Sequence, residues 1–300
     1  MHLQKIGLLL IYLSLTQLSY AQPEKITGTI INSKDNSPIP YATIYLSVQK
    51  IGCYTNEKGG FSIQTNGLLD TMTISCIGYQ TDTVVLETNV YKKIKIQLKP
   101  TQYEIETIEV SAKKQKANDF NLGFFGSKPK TNLQWFYGIG DQIAVLIQNP
   151  TDKRGIIKTI NFTTLHDDQK KQTEENVNIR LKLWSFDPYT QQPGQSLLNK
   201  DVIVHIPKVK NNKDYLIDIT SQYIEFPPEG LFVGIEFLGI LDVDTSLQFR
   251  VGPGIPFGNV KSNSSVYLNG FKHSGWVNMQ KEYQAVNEVP KIGLTLIEIE

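Results

Sequence analysis

The sequence predicts an all-β protein, with a small β-sandwich followed by a larger β-sandwich of jelly-roll type. Three observations predict it. Beyond the N-terminal apolar run, helical spacing of apolar residues is nearly absent. In its place come short runs rich in Ile, Val, Thr, Tyr and Phe that alternate apolar with polar residues, the pattern of a strand with one buried face. Gly, Pro, Asn and Asp break these runs apart, as turns require.

The first element is not part of either sandwich. Met1 to Lys5 form a short basic region, residues 6–15 are apolar, and Ser19-Tyr20-Ala21 makes a small-x-small site. The apolar run is too short to span a bilayer. Residues 1–21 therefore read as a signal peptide, cleaved after Ala21 to leave Gln22 first, with a buried N-terminal helix as the competing reading. No Cys lies near the cleavage site to carry a lipid, and no later apolar stretch approaches the ~20 residues of a membrane-spanning helix. The expected address is exported: periplasmic, outer-membrane-associated or extracellular. A chain of 300 residues at 40% hydrophobic content can fill two cores. Its 30 basic and 29 acidic residues leave a net charge of +1, spread along the chain, which disfavours nucleic acid and anionic membrane as partners. Cys53 and Cys76 are the only cysteines. They are read either as one disulfide or as two small buried groups in neighbouring strands.

Strands of the first sandwich, residues 22–100, are expected at 26–31, 42–48, 60–63, 71–76, 82–86 and 93–98. Gly59-Gly60 falls where a hairpin needs positive φ, and Pro38-Ile39-Pro40 is an extended approach to an edge strand. Phe61, Ile63, Ile74 and Cys76 alternate onto one face and are expected to fill the core.

These residues also carry a resemblance. Gly28 and Ile30, then Pro38-Ile39-Pro40 with Ala42-Thr43-Ile44, then Gly52, Thr55-Asn56-Glu57, Gly59, Phe61 and Ile63, then Ile74-Ser75 and Gly78-Tyr79 occur in order. Together they resemble the carboxypeptidase regulatory-like domain over residues 23–100 or so. The resemblance implies a transthyretin-like, seven-stranded sandwich. It also implies an envelope protein of Bacteroidetes type, where such domains often precede outer-membrane receptors. Residues 101–119 differ in kind: Tyr103 to Val110 alternate acidic and apolar residues, then Lys113 to Lys116 form a small basic run. A last strand and a linker are expected there. In the receptors a similar strand leads into a plug and a barrel, and no long series of barrel strands follows here.

The second sandwich is expected over residues 120–300. Its strands read at 142–148, 156–162, 177–184, 202–206, 215–218, 230–238, 246–250, 265–268 and 292–297. Along one of them Ile179, Leu181 and Leu183 alternate with Arg180, Lys182 and Trp184, so the first set faces the core and the second is expected to face solvent. The stretch from Arg180 to Asp187, with Pro193-Gly194 and the run from Glu225 to Glu236, loosely resembles a sandwich domain of bacterial envelope proteins without an assigned function.

The sequence carries few residues arranged for chemistry. His166, His205 and His273 are far apart in sequence, with no pairing at zinc-ligand spacing, so no metal and no cofactor is expected. Asp167-Asp168 and Asp242-Val243-Asp244 are read as solvated turns, since neither has calcium-loop spacing. There is no Gly-x-Ser-x-Gly, and Gly138-Ile139-Gly140 and Gly252-Pro253-Gly254 open no helix that would make them phosphate loops. No catalytic residue is proposed. What remains is binding: Trp135, Tyr137 and Trp276 are candidate ligand-binding residues if they converge at one end of the second sandwich, or end-plugs of its core if they do not. The expectation is a non-catalytic exported envelope protein that binds or scaffolds a protein or glycan, without nucleic acid and with peripheral outer-membrane association open to it. The alternative is a glycan hydrolase with its carboxylates in the second sandwich.

Overall fold

A computed structural model of the chain describes residues 24–67, 69–87, 93–101, 118–124, 134–135, 138–151, 153–164, 177–207, 213–239, 255–259, 265–282 and 288–299. The signal peptide expected at 1–21, most of 101–119, the strand expected at 246–250, the acidic turns expected at 167–168 and 242–244, and His166 lie outside the described residues. Elsewhere the protein is nearly all strand, with two sandwiches in sequence.

Seven strands make the first: β1 (Glu24–Asn32), β2 (Thr43–Leu46), β3 (Ile51–Tyr54), β4 (Gly60–Thr65), β5 (Asp70–Ser75), β6 (Asp82–Leu86) and β7 (Lys93–Leu98). One sheet runs β4-β1-β7 and the other β3-β2-β5-β6. Strand β1 is central in its sheet, antiparallel to β4 and parallel to β7. The alternation along β4 and β5 places Phe61, Ile63 and Ile74 in the core, with Cys76 packed against it. Gly59 takes φ 71° at the turn into β4, a conformation an L side chain resists. Strand β3 has no counterpart in the sequence reading, because Gly52 interrupts a run only four residues long.

Both cysteines are free thiols. Cys53 is on β3 and Cys76 just follows β5, with β2 lying between those strands. Strands two places apart are separated by about 9.5 Å, beyond the roughly 7 Å Cα separation a disulfide can bridge. Burial raises Cys53 to about 12 and Cys76 to about 11, the latter helped by the negative charge of Asp201.

The second sandwich begins with β8 (Asp119–Gly123) and β9 (Gln134–Trp135), then β10 (Gln142–Ile147), β11 (Gly155–Thr164), β12 (Val177–Phe186) and β13 (Pro193–Ser196). It continues with β14 (Val202–Ile206), β15 (Lys213–Asp218), β16 (Leu231–Gly239), β17 (Ile255–Asn259), β18 (Val266–Asn269), β19 (Val277–Asn278), β20 (Glu288–Pro290) and β21 (Ile292–Glu298). The larger sheet runs β13-β12-β16-β10-β18-β19, with β14 beside β13 along the same edge of β12. A four-stranded sheet, β15-β11-β21-β8, faces it, and β20-β17-β9 form a separate small sheet. Between the two main sheets Ile143, Val145, Leu181, Leu183, Val233 and Ile235 meet Ile157, Ile160, Leu294 and Leu296 in one core. The chain thus changes sandwiches between β7 and β8, since β8 pairs with β21.

Alternation on β12 sorts its side chains onto the expected faces, but the outer face is not solvent. Arg180 is 4% exposed and Trp184 7%. The first sandwich covers one end of that face and aromatic rings cover the other.

Candidate functional site

The outer face of the larger sheet is ordered in rows by its register. Arg180 sits beside Glu236, which sits beside Gln142 and then Asn269. In the next rows Lys182 meets Gly234, and Trp184 meets Phe232. Against the first row lies the outer face of the first sandwich, which offers Tyr54 from β3 and the Tyr41 carbonyl from the turn before β2. The Tyr54 hydroxyl donates to Glu236 Oε1 at 2.7 Å. Arg180 Nη1 donates to Glu236 Oε2 at 2.9 Å, Nη2 donates to the Tyr41 carbonyl, and the guanidinium stands 5.6 Å from the Tyr54 ring centroid. Lys182 Nζ is 3.3 Å from Glu236 Oε2. Arg180 Nε is 3.0 Å from Asp201 Oδ1 but poorly aligned with it, so this contact is an ion pair without a hydrogen bond.

Two cations and two anions therefore neutralise one another in a buried joint. Burial works to raise Glu236, but Lys182, Arg180 and the hydrogen bonds from Tyr54 and Arg180 bring it down from 4.5 to about 2. Burial raises Asp201, against Arg180 and Lys182. Tyr54 is pushed far above its usual range by burial and by Glu236. Beside this joint Phe271, in the turn after β18, stacks on Tyr45 with centroids 5.8 Å apart and packs on Tyr54 at 5.7 Å. It lies flat because both backbones it touches are glycine: a Cβ on Gly52 would come 2.6 Å from its ring, and one on Gly140 would run into the ring. The two sandwiches are locked by charge and by this ring.

Among the described residues, the other outer face, on the four-stranded sheet, is open. Register aligns Gly123, Gly293, Asn161 and Leu216 across β8, β21, β11 and β15. Around this row lies a hollow of about 300 Å³, lined by Asn121, Asn161, Thr163, Asp214, Lys291 and Thr295, with Phe124 and Leu216 among its apolar flanks. A hydrogen-bonded ladder holds the polar groups. Thr159 Oγ1 donates to Asn161 Oδ1 at 2.7 Å, Asn161 Nδ2 to Thr295 Oγ1 at 2.8 Å, and Thr295 Oγ1 to Asn121 Oδ1 at 2.8 Å. Thr163 Oγ1 donates to Asp214 Oδ1 at 2.6 Å. Leu216 is 67% exposed at the rim.

The sequence candidates fall elsewhere. Trp276 is half-buried and meets Trp184 edge-on, centroids 5.1 Å apart and planes at 83°, in the aromatic cluster over Leu146, Phe232 and Tyr267. Trp184 in turn lies over Gly234, where a Cβ would come 2.7 Å from its ring. Trp135 belongs to β9, whose backbone partner is Ile255. Tyr137 lies outside the described residues, and with it the convergence of the three. His205 is exposed on β14, its Nδ1 3.2 Å from Asn178 Oδ1. Among the described residues no cluster of His, Cys, Asp and Glu could hold a metal ion. No described helix is long and apolar enough to cross a membrane.

Fold and faces together define an all-β protein of two docked sandwiches, one carrying an open polar hollow. Residues 26–119, less than a third of the chain, match the family model of the CarboxypepD_reg-like domain, spanning the seven strands of the first sandwich and the segment leading to β8. Among solved structures the chain is similar to a DUF3823 family protein from Bacteroides ovatus, at 10% identity over 89% of this chain and 97% of that one, with a TM-score of 0.22. It is also similar to a DUF3823 family protein from Parabacteroides merdae, at 11% identity over 73% of this chain and 99% of that one, with a TM-score of 0.21. Curated proteins yield no match.

Proposed function

We propose that the protein is a non-catalytic, exported cell-envelope protein that binds or scaffolds a protein or glycan partner. The observation that carries this reading is the buried joint. Strongly perturbed ionisable groups mark functional clefts or structural ion-pair networks, and here Arg180, Glu236, Asp201 and Tyr54 serve to fasten one sandwich to the other. Two acids free to face a substrate are what a glycosidase needs, whereas Glu236 and Asp201 are both engaged by Arg180. The regulatory-like domain then acts as a rigid mount from which the second sandwich presents its free surface. The leader sequence and the Bacteroidetes-type resemblance support an envelope address.

The test is a pull-down from cell-envelope extract with the tagged protein, run beside a glycan array. Retention of a defined protein or glycan supports the reading. Retention of neither, or release of reducing ends from a retained glycan, overturns it, the second outcome in favour of the hydrolase. Replacing Trp135 and Trp276 with Ala shows whether those residues take part, because binding that survives both changes places the contact elsewhere.

A further inference from the structure

Resting on the reading that the protein is a binding module, we propose that the hollow above Asn161 is a subsite for one neutral sugar ring of a glycan. The hollow is built into the sheet, since Asn121 of β8, Asn161 and Thr163 of β11, Asp214 of β15 and Thr295 of β21 line it together. Its volume of about 300 Å³ lies at the lower end for small-molecule sites and suits a single ring. The polar lining consists of carboxamides, hydroxyls, one carboxylate and one ammonium. A carboxamide or carboxylate offers two polar atoms side by side, which matches two neighbouring hydroxyls on a pyranose.

The ladder uses only part of that capacity. Asn121 accepts from Thr295 and keeps both amide protons, Asn161 keeps one, and Asp214 keeps its second oxygen. Because the ladder already fixes these groups, a ligand would meet them without ordering them first. Asp214 and Lys291 put one charge of each sign into the lining, so a neutral ligand suits it better than an anion or a cation. Leu216, exposed at the rim, and Phe124 supply apolar surface for the C–H faces of a ring. A protein partner fits less well. Strand addition would use the β15 or β8 edge of the sheet and not the face on which the hollow opens, and the lining contains neither Trp nor Arg.

The experiment is calorimetric titration of the purified full chain with neutral mono- and oligosaccharides, beside uronic-acid and amino-sugar counterparts. Saturable binding of a neutral saccharide is expected, with Kd raised about tenfold or more by Asp214→Ala and by Asn121→Ala. Thr295→Val, which keeps the shape and removes the ladder hydroxyl, is expected to weaken binding as well. Unfolding curves of the variants serve as the control for folding. The proposal is overturned if no neutral saccharide binds, if binding is unchanged in these variants, or if the charged counterparts bind more tightly. Glycan binding abolished only by Trp135→Ala or Trp276→Ala also overturns it while leaving the binding reading intact. Absence of both saccharide binding and any envelope partner removes the two together.

Discussion

The second sandwich has two outer faces, and they differ in what lies on top of them. On the larger sheet Arg180, Lys182 and Glu236 are roofed by Tyr54 and the Tyr41 backbone, and Trp184 by Trp276. On the four-stranded sheet Asp214 and Leu216 face water, and Asn161, Thr295 and Asn121 beside them are linked by hydrogen bonds that leave part of their capacity unused. Both faces obey the same alternation, and both carry charged residues. The difference teaches that period-two patterning reports which way a side chain points and leaves open what covers it. A charge under a roof is a structural part whose loss uncovers an unpaired partner. A charge in the open can be removed at little cost to folding and is free to meet a ligand.

The sharpest way to break this contrast is Glu236→Ala, which strands Arg180 and Lys182 in the joint. A loss of about 3–5 kcal/mol is expected, read from denaturant unfolding. A loss below 1 kcal/mol would mean that the roof admits water. Phe271→Ala comes next: removing a half-buried ring held between Gly52 and Gly140 should cost about 2–3 kcal/mol. It should also split one cooperative transition into two, read by calorimetry, because it loosens the docking while leaving each core intact.

Tyr54→Phe should cost about 1 kcal/mol, the worth of one hydrogen bond to a carboxylate that keeps its other partners. The same joint predicts a pH dependence. Glu236 is lowered from 4.5 to about 2, so its contribution is fully present above 4.5 and is lost as pH falls toward 2. Asp201 is raised and works in the opposite sense, its ionisation costing stability as pH rises through its folded value. Acid unfolding of Glu236→Gln compared with the parent chain should show a shallower loss between those limits. The smallest effect is expected at the open face, where Asp214→Ala should stay within about 0.5 kcal/mol of the parent. A large destabilisation there would show that the two faces are not so different after all.

Much of the fold was legible in the residues themselves. The strands at Asp82–Leu86, Lys93–Leu98 and Val202–Ile206 sit where alternation placed them, and Arg180 and Lys182 point outward as β12 requires. Strand β3 and the two-residue β9 and β19 were too short, or too broken by glycine, to produce a period. The joint was invisible because its partners lie in different sandwiches, and Gly52 and Gly140 acquire meaning only when Phe271 rests between them. The hollow was missed because its members come from four separate strands. A faint signal did exist: Asn121 and Asn161 sit in mid-strand, where Asn is disfavoured and calls for a polar partner. Trp276, conspicuous in the sequence, is packed against another Trp.

The lock between sandwiches also bears on the order in which the chain assembles. Tyr54 and Glu236 are 182 residues apart, whereas the first sandwich is complete at Leu98. It can close early, but its docking surface of Tyr45, Tyr54 and Gly52 has nothing to rest on until β16 and the turn bearing Phe271 have formed. Contacts of such long reach come last and slowly. During synthesis or refolding, the first sandwich therefore passes through an interval in which its aromatic surface is bare. That half-made species is where chaperones would engage and where aggregation would start.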